Sequence, residues 1–294
     1  MSLFKARDWW STVVEEECDV GCLLICNINN EDPPKDKIIV GGFSGTLRIF
    51  DPQGHTTEDG TVSYDYRPDH VLLETTLNYP IIQLAAGKFV SGSDENHLLV
   101  LYPDRLTVYS LIVTTGQTGY GHQSKLNTAY QHMFQRHAHS LVTGHFGSVK
   151  GKDLFAVLSL DGCITVYEQE SIGFSCFLPG FLLPGPWGYT PKSDSFLVVG
   201  ADWSLQCYKY QSLATSNENE KDTNNKSGGR RLAPEWTYQL GEAVLDVIVL
   251  SPQGFPPCIV ILTHHSFFCF KDNGVLKFVK KLEYNPSSFT AYYI

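Results

Sequence analysis
A unit of four short apolar runs returns about every sixty residues along this chain, and few architectures can accommodate it. Its clearest element is a large apolar residue, any residue, then Ile, Val or Cys, or in one copy Phe-Phe-Cys, ending on an aromatic ring. The copies are Leu47-Arg48-Ile49-Phe50, Leu106-Thr107-Val108-Tyr109, Ile164-Thr165-Val166-Tyr167, Leu205-Gln206-Cys207-Tyr208 and Phe267-Phe268-Cys269-Phe270. Their aromatic anchors lie 59, 58, 41 and 62 residues apart.

Each copy has matching neighbours. An apolar run precedes it across a short turn: "KIIVGGF", "HLLVLY", "DLFAVLS", "SFLVVGA", "CIVILTH". Asp161-Gly162, set between two such runs, is a hairpin signal because glycine accepts positive φ. A third run lies further upstream ("GCLLICNI", "PIIQLAAGKF", "HSLVTGHF", "FLLPGPWGY", "AVLDVIVL") and a fourth downstream ("VLLETTL", "LNTAYQHMF", "IGFSCFL", "PEWTYQL", "VLKFVKKLEY"). Four short strands per repeat predict an all-β propeller of four-stranded antiparallel blades. Such sheets bury their faces by stacking on one another. The pattern places blades at about residues 21–78, 79–137, 138–178, 179–241 and 242–285. The innermost strands are expected to be enclosed and almost purely apolar, and the outermost to alternate and carry charge.

The stretch from Ser171 to Pro191 holds no charge, as a membrane span would require. Its prolines (Pro179, Pro184, Pro186, Pro191) and glycines (Gly173, Gly180, Gly185, Gly188) argue against a spanning helix. It is read as an outer strand, a crossover and the next inner strand. Ser212 to Arg231 is polar, with one leucine and no aromatic ring, and reads as a disordered loop. The stretches 51–70 and 112–124 read as equivalent loops on the first two blades.

Chemical motifs are sparse. "GHFGSVKGKD" misses the phosphate-loop spacing, with Phe146 in place of the first glycine and Asp153 in place of the hydroxyl. No G-x-S-x-G elbow occurs. His132, His137 and His139 read as a solvated edge, and His264-His265 as a turn. Asn225-Lys226-Ser227 matches a glycosylation acceptor that a cytosolic chain does not use. Asp246 falls in an inner strand with no comparable carboxylate partner. Eight cysteines show no zinc spacing and read as reduced structural thiols. The net charge of −9 argues against a nucleic-acid partner. No catalytic, cofactor-binding or metal-binding residue is assigned.

The strings "MSLFKARDWWSTV", "DKIIVGGFSGTLRIFDP", "GKFVSG", "FGSVKGKDL", "EQESIGFSCFLPGFLLPGP" and "FFCFKDNG" closely resemble the N-terminal propellers of the Bardet–Biedl syndrome protein 9 family, subunits of the BBSome. The resemblance spans nearly the whole chain and is weakest at 51–70 and 212–231. It implies a non-enzymatic scaffold in a coat-like complex that moves membrane proteins to and from the cilium. Its implied partners are other BBSome subunits and ciliary membrane-protein cargo, without cofactors. The implied locations are the cytoplasm, the cilium, the ciliary membrane (peripherally) and the basal body or centriolar region.

The family is seven-bladed, so the five anchors plus "NPSSFTAYYI", read as the start of a sixth blade, suggest a shortened chain. The segment "LFKARDWWSTV" would then belong to a missing last blade as its outer strand. Two open blade faces of roughly 500 Å² each would forgo on the order of 25 kcal/mol of burial, against a usual domain stability of about 5–15 kcal/mol. The isolated chain is therefore expected to be poorly soluble or to need a partner. The alternative is a complete five-bladed enzyme or small-ligand binder, which requires a central pocket with two facing carboxylates or a metal.

Overall fold
The computed structural model describes residues 9–56, 60, 62–115, 122–221, 232–251 and 254–291. They form two compact units, residues 1–133 and 134–294. Among the described residues there are five four-stranded antiparallel sheets and one two-stranded ribbon.

In the first unit, one sheet runs β1 (Leu23–Cys26), β2 (Lys37–Gly41), β3 (Thr46–Phe50), β6 (Val71–Thr76), with the ribbon β4 (His55–Thr56) and β5 (Val62–Ser63) between its last two strands. The second sheet is β7 (Gln83–Gly87), β8 (His97–Leu101), β9 (Arg105–Thr115), β10 (His122–Met133). Their facing sides share a core of Ile39, Leu47, Ile49, Ile81, Leu98 and Val100, all fully buried. Asparagines join the two sheets: the Asn96 backbone donates to Asn30 Oδ1 (2.7 Å), and Asn30 Nδ2 donates to the Asn96 carbonyl (3.1 Å).

In the second unit, the sheets are β11 (Ala138–Gly144), β12 (Leu154–Ser159), β13 (Cys163–Glu168), β14 (Ser171–Phe177); β15 (Trp187–Thr190), β16 (Ser195–Val199), β17 (Ser204–Lys209), β18 (Trp236–Gln239); and β19 (Val244–Leu250), β20 (Cys258–Thr263), β21 (Ser266–Lys271), β22 (Leu276–Lys281). Phe146, fully buried, packs on Tyr189 and Phe196 at ring distances of 4.6 and 4.9 Å. Leu197, Leu205, Ile259, Ile261 and Phe270 form the core between the last two sheets.

Each of the five recurring tetrapeptides is a third strand, joined to its second strand by a tight hairpin. Gly162 takes φ +82° in the hairpin between β12 and β13. In four sheets the outer strand carries one extra residue near the end of that tetrapeptide: Leu72, Ala129, Gly173 and Lys277. Bulges of this kind twist and bend the strand. The repeat of the bulge matches the repeat of the tetrapeptide, which makes each sheet a variant of one unit.

Several expectations need correction. The innermost strands are enclosed unevenly: every residue of β15 is buried, as is every residue of the second strands β8, β12 and β16, whereas no residue of β1 and only Val247 of β19 is buried. A second strand has ladders on both edges and neighbours on both faces, while an innermost strand keeps one free edge. Residues 112–115 and 122–124 extend the β9–β10 hairpin, as the β-branched Ile112-Val113-Thr114-Thr115 favours; 116–121 lie outside the described residues. The 51–70 stretch contains the β4–β5 ribbon and a 3₁₀ turn, Pro68–His70.

The segment read as a disordered loop opens as a helix, α1 (Tyr210–Lys221). Its one leucine, Leu213, is fully buried against the Phe146 core, and that burial offsets the ordering cost of its first turns. Residues 222–231, including the Asn225 acceptor and Arg230-Arg231, lie outside the described residues. Asn285–Ala291 joins no ladder among the described residues, and the Phe289 ring instead lies 5.9 Å from Phe267.

Candidate functional site
Residues 9–17 lie against the first sheet, while residues 3–8 of the segment expected as an outer strand of a last blade lie outside the described residues. The Trp10 ring lies tilted against Phe50 (5.4 Å) and donates its indole N–H to His70 Nδ1 (3.1 Å). Trp9 lies 5.4 Å from Tyr64. The Phe43 amide donates to the Glu17 carbonyl at 2.9 Å, and the Ser44 hydroxyl donates to Glu16. That hydroxyl holds the Glu16 carboxyl below its ordinary range against the opposing effect of burial, with Thr46 and Arg48 adding to the lowering. The two indoles thus find ring partners at the end of β3 and beyond the ribbon, in Phe50, Tyr64, Tyr66 and His70.

The segment resembling a phosphate loop has an internal role. Phe146 anchors it in the core, and the Gly147 amide donates to the Asp194 carboxylate at 3.0 Å. An amide held by a carboxylate repels phosphate rather than cradling it. Tyr189 completes this link by donating to Asp194 at 2.7 Å. From the same hairpin, Thr190 and Ser193 donate to Asp272 of the next sheet. These contacts fasten neighbouring sheets together.

The remaining titratable groups behave likewise. Among the described residues no three His, Cys, Asp or Glu side chains gather as a metal site would need. His132 lies on β10 with its ring 5.4 Å from Tyr130, while His137 precedes β11 and His139 lies on it. All eight cysteines are free. Burial pushes the Cys22 thiol up to about 11 and those of Cys26 and Cys207 up to about 12, so none is a thiolate near neutral pH.

Asp246, half-buried on β19, accepts from the Val247 amide at 2.8 Å, and burial raises its carboxyl above the ordinary value. A raised acid in the folded state costs stability wherever it is ionised. Asp246→Asn is therefore expected to raise the melting temperature at neutral pH. The gain should shrink as pH falls through the raised folded-state value and vanish only well below the unfolded value of about 3.9, where Asp246 is protonated in both states. Calorimetry across pH checks this, and a gain that persists in acid would contradict it.

A cavity of 480 Å³ lies between the β20–β21 face and residues 282–291. Its walls include Leu250, Val260, Leu262, Phe267 and Phe289. Its described lining holds no carboxylate, imidazole or thiol, so the pair of facing acids that the enzyme alternative requires is not found there. No helix among the described residues is long and apolar enough to cross a membrane.

One device was missed in the sequence. The hairpin between second and third strands is closed by a hydroxyl–carboxylate pair in four sheets. Ser44 bonds Glu16, Ser159 bonds Asp161, Ser204 bonds Asp202 (2.6 Å), and Thr263 with Ser266 bonds Glu242 (2.7 and 2.9 Å). The signal was present in "FSGT", "SLDG", "ADWS" and "THHS", where a hydroxyl borders each turn.

Comparison with known proteins agrees with this geometry. The sequence model of a family described as PTHB1 N-terminal matches residues 1–294. Protein PTHB1 of Homo sapiens is 44% identical over 99% of this chain and 33% of its own length, and that of Xenopus laevis 43% over 99% and 34%. The chain thus spans about a third of the curated relatives it matches. A crystal structure of BBS1N in complex with ARL6DN superposes with TM-score 0.54 at 10% identity, covering 94% of this chain and 85% of that one. Saccharomyces cerevisiae Sqt1 gives TM-score 0.55 at 11% identity, covering 86% and 60%. At such identities these two structures speak to the fold alone, and that fold is the β-propeller.

Proposed function
The chain belongs to the PTHB1 N-terminal family, and from that premise we propose that it is a non-enzymatic propeller subunit of the BBSome, serving as a scaffold and adaptor in the trafficking of ciliary membrane proteins. The observation that carries this reading is the relation to PTHB1 along 99% of the chain. The internal use of its polar groups supports it: carboxylates and hydroxyls close hairpins or fasten sheets. Its partners are other BBSome subunits and, through them, membrane-protein cargo. Its places are the cytoplasm, the cilium with its membrane reached peripherally, and the basal body region. We further assign the blades the spans 21–78, 79–137, 138–178, 179–241 and 242–285, which limited proteolysis and repeat deletion would test.

The test of function is affinity purification from ciliated cells of this protein tagged at its N-terminus, read by mass spectrometry. BBSome subunits are expected among the recovered proteins. Recovery of the tagged protein without any of them would overturn the assignment.

A further inference from the structure
The crossover between β14 and β15 carries apolar side chains in the wrong place for a core. Leu182 is 76% exposed and Leu183 67%. Scattered surface leucines are ordinary, but these two have company. Leu160 is 51% exposed, Trp203 50% and Phe177 46%. Leu160 and Trp203 lie in the hairpin turns of their sheets, and Phe177 ends β14.

Contacts bring these groups to one end of the two sheets. Gly162, in the same turn as Leu160, lies under Phe181: a Cβ there would come within 2.3 Å of that ring. Gly185 sits against the Val199 carbonyl, where a Cβ would meet it at 3.0 Å. Val199 leads into the turn that the Trp203 amide closes by donating to the Gly200 carbonyl. The crossover therefore bridges two hairpins, with Leu182 and Leu183 between its two anchor points. Pro179, Pro184 and Pro186 restrict its backbone. The leucines are held outward by a segment already fastened at both ends, which lowers the entropy lost when a partner covers them.

The charge around this patch has a sign. The turns at this end of the three sheets of the second unit carry Asp161, Asp202 and Glu242. Against them stands Arg136, whose guanidinium lies over Phe177 (4.9 Å) and pairs with Asp161 (2.7 Å). The histidines His137, His264 and His265 lie in the same turns, and Lys280 and Lys281 end β22 beside the third hairpin, whereas on the two sheets that carry the leucines Asp161 and Asp202 outnumber Arg136. An anionic lipid surface would be repelled here, whereas a basic polypeptide would be attracted.

We propose that the 178–186 crossover, with Leu160, Phe177 and Trp203, is a docking surface for an amphipathic protein segment that presents leucine-type anchors flanked by Lys or Arg. This deepens the scaffold reading and rests on it.

The probe is a fluorescent synthetic peptide of leucine and lysine in amphipathic order, compared with its leucine–glutamate counterpart and with vesicles of phosphatidylcholine and phosphatidylserine. The full chain is expected to bind the basic peptide at least about tenfold more tightly than the acidic one. Binding should weaken with salt. The exposed-site variant Leu182→Asp/Leu183→Asp should melt as the parent does and lose about tenfold or more in affinity. Binding of both peptides alike, binding unchanged in the variant, no peptide binding, or binding to vesicles alone would each overturn the proposal. In ciliated cells, if the parent recovers BBSome subunits and the variant recovers the same set in the same amounts, this surface fails while the scaffold reading stands. If the parent recovers none, the scaffold reading itself fails.

Discussion
Phe146→Ala is expected to destabilise the second unit by about 3–5 kcal/mol, the usual cost of removing a fully buried phenylalanine. The ring is completely enclosed, 4.6 Å from Tyr189 and 4.9 Å from Phe196, and belongs to a core that includes Leu154, Trp187 and Leu213. Its neighbours sit on four elements, β12, β15, β16 and α1, so the cavity cannot close by one side chain moving. Against a typical domain stability of about 5–15 kcal/mol, such a loss is a large fraction of the total. Phe255→Ala serves as the control, since Phe255 is 74% exposed and its loss should stay within about 0.5 kcal/mol. Denaturant unfolding of both variants decides the matter. A Phe146→Ala midpoint equal to that of Phe255→Ala would show that the Gly144-His145-Phe146 turn does not anchor this core.

The same residue shows what the sequence disclosed and what it hid. The repeated Gly-Lys/His-Phe form at Gly87-Lys88-Phe89 and Gly144-His145-Phe146 marks the end of an inner strand in both copies, and both phenylalanines are fully buried. Strand order in every four-stranded sheet was legible, because each apolar run is short, separated by turn residues and repeated in the same sequence. The periodic signal ends where a contact joins residues distant in the chain. Nothing local in "ARDWW" says that Trp10 will meet His70, sixty positions on. Nothing in "SLATSNENEK" distinguishes a polar loop from a helix pinned by Leu213, since one leucine gives no periodicity. The uncharged Ser171–Pro191 run was read for its inner strand. Its exposed Leu182 and Leu183 were invisible because apolar composition does not reveal which side faces water.

Asp51→Ala is the second large effect, expected at about 3 kcal/mol or more in the first unit. Lys37 has no exposed side-chain surface, and its ammonium lies 3.4 Å from Asp51 and 2.8 Å from Glu31. Glu31 is 43% exposed and thus a screened partner, whereas Asp51 is 12% exposed. Removing Asp51 leaves a buried cation half-compensated, which costs far more than an exposed pair is worth. The double variant Lys37→Met/Asp51→Ala should recover most of the loss, because no buried charge then remains. Acid should reveal the same pairing. Burial works against ionised Asp51, but bonds from Lys35 and Gln53 and the charge of Lys37 outweigh it and hold its carboxyl below the ordinary value. A lowered acid stabilises the fold above its unfolded pKa of about 3.9 and loses that contribution as pH falls through its folded value. The parent and Asp51→Ala should therefore differ most near neutral pH, and their denaturation midpoints should approach each other in strong acid. A constant gap down to that range, or a double variant no more stable than the single one, would show that the cost lies in packing rather than in the stranded charge of Lys37.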